Sequence, residues 1–546
     1  MNLFISFVHH FTKMMSMDLK NCAFLILFAF LILCADFGAC YARNSMPWRQ
    51  SRIHLSSVMD KGHSSHHNHK KHNTPLAPAP APKPKPKPPA PMPVPAPAPK
   101  PKPKPPAPAP MPVPAPLAPA PSHKNSTTFN VQDYGAKGDG QTDDMKAFLA
   151  AWAAACKVEA STILVPSGSI FLLSPISFAG PNCKPKIIFQ LDGKIIAPTS
   201  AKAWGSGFLQ WIEFTKLTEI TIKGEGIIDG QGSVWWKDAA VYAGTDTSQN
   251  IPSTGQNRAN ELNNMVSTQI SAELSKMPKT KPTALRFYGS TDVTVTGITI
   301  QNSPKMHLKF DSCTNVHVFD ISVSSPGDSP NTDGIHLQNS QNVLIHSCNL
   351  ACGDDCVSIQ TGCSNIYIHD INCGPGHGIS IGGLGNGNTR ACVSNVTVRN
   401  TVMRNTMTGV RIKTLQGGSG SANNIMFSNI QVSEVETPIV IDQYYCDKEK
   451  CKNQTSAVAV SGITYANIQG TYTVQPVYFA CSDNSPCTEI SLATIQLKPH
   501  QTSHHLYGPF CWKTYGESKT STVPPIDCLQ KGNPSNAPSK IASCQV

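Results

Sequence analysis

Past Thr128 the chain is written in short runs that alternate β-branched or aromatic residues with polar ones. A polar residue introduces each run: Glu219-Ile-Thr-Ile, Asp292-Val-Thr-Val, Asn315-Val-His-Val, Asn342-Val-Leu-Ile, Asn365-Ile-Tyr-Ile, Asn395-Val-Thr-Val and Asn424-Ile-Met-Phe. Alternation with a period of two predicts strands with one buried face. From Asp292 to Asn424 the runs recur at steps of 23, 27, 23, 30 and 29 residues. A fixed period in that range announces a repeat architecture. The leucine pattern of leucine-rich repeats is missing, the β-branched content excludes helical repeats, and propeller blades need about 40 residues. Coils of two or three short strands turned by Gly and Asn predict an all-β parallel β-helix of about ten coils, in which each coil buries its inward side chains against the next. One segment breaks the pattern. Thr142–Lys157 predicts an amphipathic helix, with Thr142 or Asp143 as N-cap and acidic residues in its first turn. It is the natural N-terminal cap of the stack, and the Cys-rich region after Tyr478 is expected to finish the other end.

Four polar clusters lead into strands in phase with the repeat: Asn331-Thr332-Asp333, Gly353-Asp354-Asp355, Gly376-His377-Gly378 and Arg411-Ile412-Lys413. Asp333 and Asp355 are 22 residues apart, as are Asp355 and His377. If each unit is one coil, equivalent positions sit about 4.8 Å apart. Three carboxylates, an imidazole and two cations then share one small patch, which reads as an active site. Strict alternation from Ile335, Val357 and Ile379 would point Asp333, Asp355 and His377 inward, so the chain must turn at or near Gly334, Cys356 and Gly378 for them to reach the surface. Neighbouring carboxylates cannot all ionise cheaply, so at least one pKa should rise, as an acid and base pair requires. Arg411 and Lys413 alternate with Val410 and Ile412 and should face outward together, a floor suited to a carboxylate-bearing substrate.

Charge changes the picture only once it is located. The net +11 resides in residues 43–124, which carry 13 Lys and Arg against one Asp. Residues 125–546 carry 30 basic and 31 acidic side chains; the folded part is nearly neutral, and no nucleic-acid partner is expected. From Pro75 to Pro121 about every second residue is proline. That composition predicts a polyproline II rod, either a solvated spacer or an electrostatic tether to acidic polymers. The preceding His63, His66, His67, His69 and His72 read as part of the same disordered basic tract. Residues 1–42 have the form of a cleaved leader: Lys20, an apolar run from Ala23 to Cys34 too short to span a bilayer, and Cys40-Tyr41-Ala42 at the cleavage point. Export fits the cysteines: 19 in all, three of them in the leader, leaving an even number. Cys446/Cys451 and Cys481/Cys487 can close small loops, Cys356/Cys373 flanks the polar clusters, and no paired Cys-x-x-Cys motifs suggest zinc. Asn125, Asn395 and Asn453 head N-glycan acceptor sequences.

Ser329-Pro-Asn-Thr-Asp-Gly-Ile-His336, Gly353-Asp-Asp355, Gly374-Pro-Gly-His-Gly-Ile-Ser-Ile381 and Arg411-Ile-Lys413, in this order, resemble the four motifs of plant polygalacturonases in glycoside hydrolase family 28. The resemblance extends from about Phe129 to the C-terminal cysteines. It implies a right-handed β-helix that hydrolyses α-1,4 links of homogalacturonan, with inversion and without a metal or other cofactor. Carried over by motif, Asp354 would be the general acid, Asp333 and Asp355 would activate water, and His377 would stand near the acid. Arg411 and Lys413 would hold the galacturonate carboxylate. Tyr445 matches the family's substrate-contacting tyrosine, with Tyr444 as the weaker alternative. The expected protein is a secreted, cell-wall monomer whose partner is pectin. Its catalytic domain is residues 125–546, with residues 43–124 available to bind acidic wall polymers. Endo and exo attack stay open, and the long segment Lys237–Lys281 could shape one end of the cleft. The alternatives are a hydrolase of a related substituted galacturonan, a pectate lyase, and a non-catalytic wall protein that crosslinks pectin through its rod.

Overall fold

The computed structural model describes residues 127–236, 277–447, 451–501, 503 and 505–534. The expected leader, the basic extension, Asn125 and most of Lys237–Lys281 lie outside the described residues. Strands from successive coils pair in parallel. One sheet has eleven strands, from Ile176–Ala179 to Phe510–Trp512, and the remaining strands form a nineteen-stranded sheet. This is the β-helix that the periodicity predicts, its stack of coils running the length of the described chain.

Alternation sets what is inside. Phe178, Phe214, Phe287 and Phe310 occupy one inward register position on consecutive strands of the eleven-stranded sheet. Their rings stack at centroid distances of 4.9, 5.3 and 5.2 Å. Leu337, Ile359, Ile381 and Ile412 continue that column, fully buried. Each such side chain contributes about 1.5–3 kcal/mol by leaving water.

The polar residues that introduce the runs have a structural role. Glu219, Asp292, Asn315, Asn342, Asn365, Asn395 and Asn424 all adopt left-handed backbone, with φ between 53° and 58°. Asn tolerates that conformation better than other side chains with a Cβ. At this corner the side chains form a ladder. Asn315 donates to Asp292 at 2.8 Å, Asn342 to Asn315 at 3.1 Å, Asn365 to Asn342 at 3.0 Å and Asn395 to Asn365 at 2.7 Å. Asn395, an expected glycan acceptor, is thus also a rung.

The capping helix is shorter than expected, spanning Met145–Ala155 with Asp144 at its N-cap. Asp139–Asp143 is instead a strand that pairs with Ile170–Leu172. The two acidic side chains divide the work: Asp144 accepts from the backbone of Lys137 and Gly138 at 2.7 and 3.0 Å, and the expected cap Asp143 accepts from Met145 N, the first helical N–H, at 3.1 Å. No acidic residue stands in the helix's first turn. The helix still caps the stack, because its Trp152 ring packs on Phe178 and Phe214 and its indole donates to Ala179 O at 3.1 Å. Disulfides join Cys156–Cys183, Cys356–Cys373, Cys446–Cys451, Cys481–Cys487 and Cys511–Cys528. The even cysteine count does not mean full pairing. Cys313, Cys348, Cys352 and Cys363 are free thiols packed in the core. Burial pushes their pKa up, to about 11 for Cys313 and Cys348 and about 12 for Cys363, so they stay protonated and unreactive.

Candidate active site

The predicted 22-residue phase is the register of the eleven-stranded sheet. Ile335 pairs with Val357, Val357 with Ile379, and Ile379 with Val410. Those four side chains point into the core. The next residues along, His336, Ser358, Ser380 and Arg411, form an outward column. Asp333, Asp355 and His377 precede their strands by two residues and would point inward if alternation continued. The chain turns instead. Gly378 has φ +82°, and a Cβ there would lie 2.1 Å from Thr408 O; a Cβ on Gly334 would lie 2.5 Å from Cys356 O. Glycine is therefore required at both positions by close backbone approach. The Cys356–Cys373 bridge ties the third turn from behind.

The turns bring the predicted groups together. Asp355 is nearly fully buried, and all its partners are outward residues. Its Oδ1 accepts from Ser380 Oγ at 2.7 Å and Arg411 Nη2 at 2.8 Å, and its Oδ2 accepts from Lys413 Nζ at 2.9 Å. Arg411 Nε also donates to Ser380 Oγ at 3.0 Å. Asp354 Oδ1 and His377 Nδ1 are 2.9 Å apart, and Asn331 Nδ2 donates to Asp354 Oδ2 at 3.1 Å. His336 Nδ1 lies 2.8 Å from Asp333 Oδ2. The Tyr445 ring centroid is 5.2 Å from Lys413 Nζ. Tyr444 turns away, its hydroxyl donating to Asp483 Oδ2 at 3.1 Å.

Burial raises all three carboxyl groups, and their neighbours decide the net result. For Asp333, burial together with the nearby Asp354 and Asp355 outweighs the His336 hydrogen bond, and its pKa is raised. Burial of Asp355 is overcome by Lys413 and Arg411, which hold it low. Burial of Asp354 is likewise overcome, by the hydrogen bond and charge of His377 and by Lys413 and Arg411. One carboxyl is therefore raised and two are lowered; the rise expected of at least one falls on Asp333, not on Asp354, the residue carried over as the general acid. The two cations remain firmly protonated: burial works against them, and Asp355 with its neighbours more than compensates.

Asp354, Asp355 and His377 present donor atoms within 4.8 Å of one another. They suit a metal poorly. Asp355 has a donor on each oxygen, two of them cations, and a metal ion would have to displace that charge.

The sequence reading left out three groups of the site. Ser380 and His336 share the outward column with Arg411, a signal visible in the alternation. Asn331 stands in the first cluster but gains its role only across the coil, through Asp354.

Comparison with known proteins follows the same lines. A family model described as glycosyl hydrolases family 28 matches residues 156–271 and 263–508. The chain is 42% identical over 378 residues to a polygalacturonase of Chamaecyparis obtusa, covering 69% of this chain and 68% of that protein. It is 38% identical over 404 residues to a probable polygalacturonase of Arabidopsis thaliana, covering 73% of this chain and 84% of that protein. Among solved structures, the polygalacturonase from Erwinia carotovora ssp. carotovora matches with a TM-score of 0.53 at 23% identity, covering 72% of this chain and 99% of that one. An endo-xylogalacturonan hydrolase from Aspergillus tubingensis matches with a TM-score of 0.57 at 20% identity, covering 76% of this chain and 97% of that one. At such identities the structural likeness speaks for the fold alone.

Proposed function

The chain belongs to the glycosyl hydrolases of family 28, and on that premise we propose that it hydrolyses α-1,4-galacturonosyl links of homogalacturonan with inversion. One observation carries the reading: a cluster of three carboxyl groups, one with a raised pKa and two with lowered ones, is closed by two buried cations on one outward face. Asp354 gives its proton to the leaving oxygen as the C1–O bond breaks. Water attacks C1 from the opposite face and surrenders its proton to a carboxylate. Asp333, with its raised pKa, is the better proton acceptor; Asp355, locked by Ser380, Arg411 and Lys413, orients the water. Inversion requires acid and base roughly 6.5–9.5 Å apart. Arg411 and Lys413 hold the substrate carboxylate, and Tyr445 packs beside it.

The low pKa of Asp354 in the free site has a consequence for an acid. His377 is the main group holding Asp354 low, and a galacturonate carboxylate paired to Arg411 and Lys413 would offset only the share of the positive field that those two cations add. Substrate binding then raises the pKa of Asp354 toward the range a general acid needs. The raised pKa of Asp333 favours a second reading, with Asp333 as acid and Asp354 as base. Azide separates the two, since a small nucleophile can rescue a variant lacking the base but not one lacking the acid.

The direct test is digestion of polygalacturonic acid by the full chain, following reducing ends and viscosity, with Asp354→Asn alongside. Rapid viscosity loss at few cuts means endo attack, and monomer release at unchanged viscosity means exo attack. Absence of reducing ends, or equal activity in the variant, would refute the reading. We assign residues 1–42 to export and 43–124 to tethering in the wall, from their composition. Removing 43–124 should weaken salt-sensitive pectin binding and spare hydrolysis of short oligomers. Equal binding by both forms across a salt series would end the tether assignment.

A further inference from the structure

The outward columns that carry Arg411 and Lys413 continue past them. In register, Arg411 is followed by Val440, Tyr478 and Phe510, and Lys413 by Asp442, Ala480 and Trp512. The character of the face reverses within two coils. Before the catalytic coils the same columns are charged: Glu213, Arg286 and Asp311 form a paired network at 2.9 and 2.6 Å, with Lys309 beside it. Beyond them the face is aromatic. Tyr478 and Phe510 stack with centroids 5.2 Å apart and planes at 20°, and Tyr444 packs on the same group.

This end is held in place. Asp483 accepts from the Tyr444 hydroxyl through Oδ2 and from the Trp512 indole through Oδ1, each at 3.1 Å. One carboxylate thus fixes two rings, and Trp512 stays 37% exposed. Asp442 accepts from Tyr444 N at 2.9 Å and marks the boundary with Lys413. Two carboxylates therefore stand among the rings. Lys513, 5.8 Å from the Trp512 ring, is the cation placed against them.

Among the described residues, an ionised galacturonate unit would meet Asp442 and Asp483 here, with Lys513 set against the Trp512 ring in place of a buried pair of cations such as Arg411 and Lys413. A unit whose carboxyl is a methyl ester carries no charge, and it offers C–H faces that stack on aromatic rings while its hydroxyls reach the carboxylates. We propose that Trp512, Phe510 and Tyr444, with Asp442 and Asp483, form a subsite for methyl-esterified galacturonate units one to three coils beyond Lys413. The chain thus requires a free carboxylate at the catalytic coils and accepts an ester farther along the same polymer. This inference deepens the proposed function and rests on it.

The test compares Trp512→Ala and Trp512→Phe with the unsubstituted full chain on two polymers: de-esterified polygalacturonate and randomly half-esterified pectin. Trp512→Ala should raise KM on the esterified polymer about three- to tenfold and change KM on the de-esterified one less than twofold, with kcat kept. Trp512→Phe should restore most of the loss, and Asp483→Asn should lower KM on the de-esterified polymer. Equal effects on both polymers, or none on either, would overturn the subsite. Affinity electrophoresis of Asp354→Asn in gels holding either polymer, with and without Trp512→Ala, reads the same preference without turnover. A chain that hydrolyses neither polymer therefore refutes the proposed function alone, while a retardation ratio unmoved by Trp512→Ala refutes the subsite alone.

Discussion

The asparagine ladder at one corner and the charged cluster on the floor obey the same geometry, one side chain per coil about 4.8 Å apart, and use it in opposite ways. In the ladder the rungs from Asn315 onward are exposed carboxamides that each donate to the previous coil, starting from Asp292, so like stacks on like at little electrostatic cost. On the floor the stacked groups are ionisable and buried or half-buried: Asp333 and Asp354 each meet a histidine, and Asp355 meets two cations. Neutral dipoles repeated along the stack contribute stability in small equal steps. Unlike charges packed at the same spacing split the pKa values apart and create acid and base. A repeat can thus carry chemistry only where its repetition is broken.

The largest contrast should come from Asp354→Asn. It is expected to lower kcat by about 10²–10⁴, the usual worth of a general acid, while a thermal melt shows little change. A melt that collapses would mean that Asp354 serves the fold, as a rung does. Arg411→Ala should affect both properties. It leaves Asp355 with Lys413 as its one cation beside the Ser380 hydroxyl, and urea titration should show a loss approaching about 3 kcal/mol, the lower end for breaking a buried pair.

Asn365→Val probes the ladder. It removes a donor to Asn342 and an acceptor for Asn395 and puts a β-branched residue at φ 58°. A loss of about 1–3 kcal/mol is expected, with kcat unchanged for the folded fraction. A changed kcat would mean that corner and floor are coupled.

pH sharpens the comparison further. The lowered pKa of Asp355 makes its stabilisation complete above the unfolded value of about 3.9 and lost as pH falls through its folded pKa. The penalty of Arg411→Ala should therefore shrink in acid, whereas that of Asn365→Val stays flat. Asp442 runs the other way. Burial lifts its pKa to about 6, against the Tyr444 backbone hydrogen bond and the Arg411 charge, so its ionisation costs stability as pH rises from about 3.9 through 6. Asp442→Asn should raise Tm at pH 7 and leave it unchanged at pH 3.5. An equal gain at both pH values would remove Asp442 from the account.

Much of this was legible in one dimension. The β-branched alternation, the polar residue before each run and the 22-residue phase of Asp333, Asp355 and His377 are local properties of the chain, and they determined the β-helix, its register through Ile335, Val357 and Ile379, and the motif set. Alternation also placed Arg411 and Lys413 on one outward face. It could not place Asp333 and His377, because the turns at Gly334 and Gly378 depend on how closely the backbone of the next coil approaches. Nor could it separate Tyr445 from Tyr444, or the four core thiols from the paired cysteines, since each choice depends on what another coil presents. The start of the capping helix shifted for the same reason, once Asp139–Asp143 found a strand partner. Tertiary structure alone set the charges of the site: Asp355 meets cations 56 and 58 residues away in sequence, and a pKa follows from neighbours in space, which no local pattern encodes.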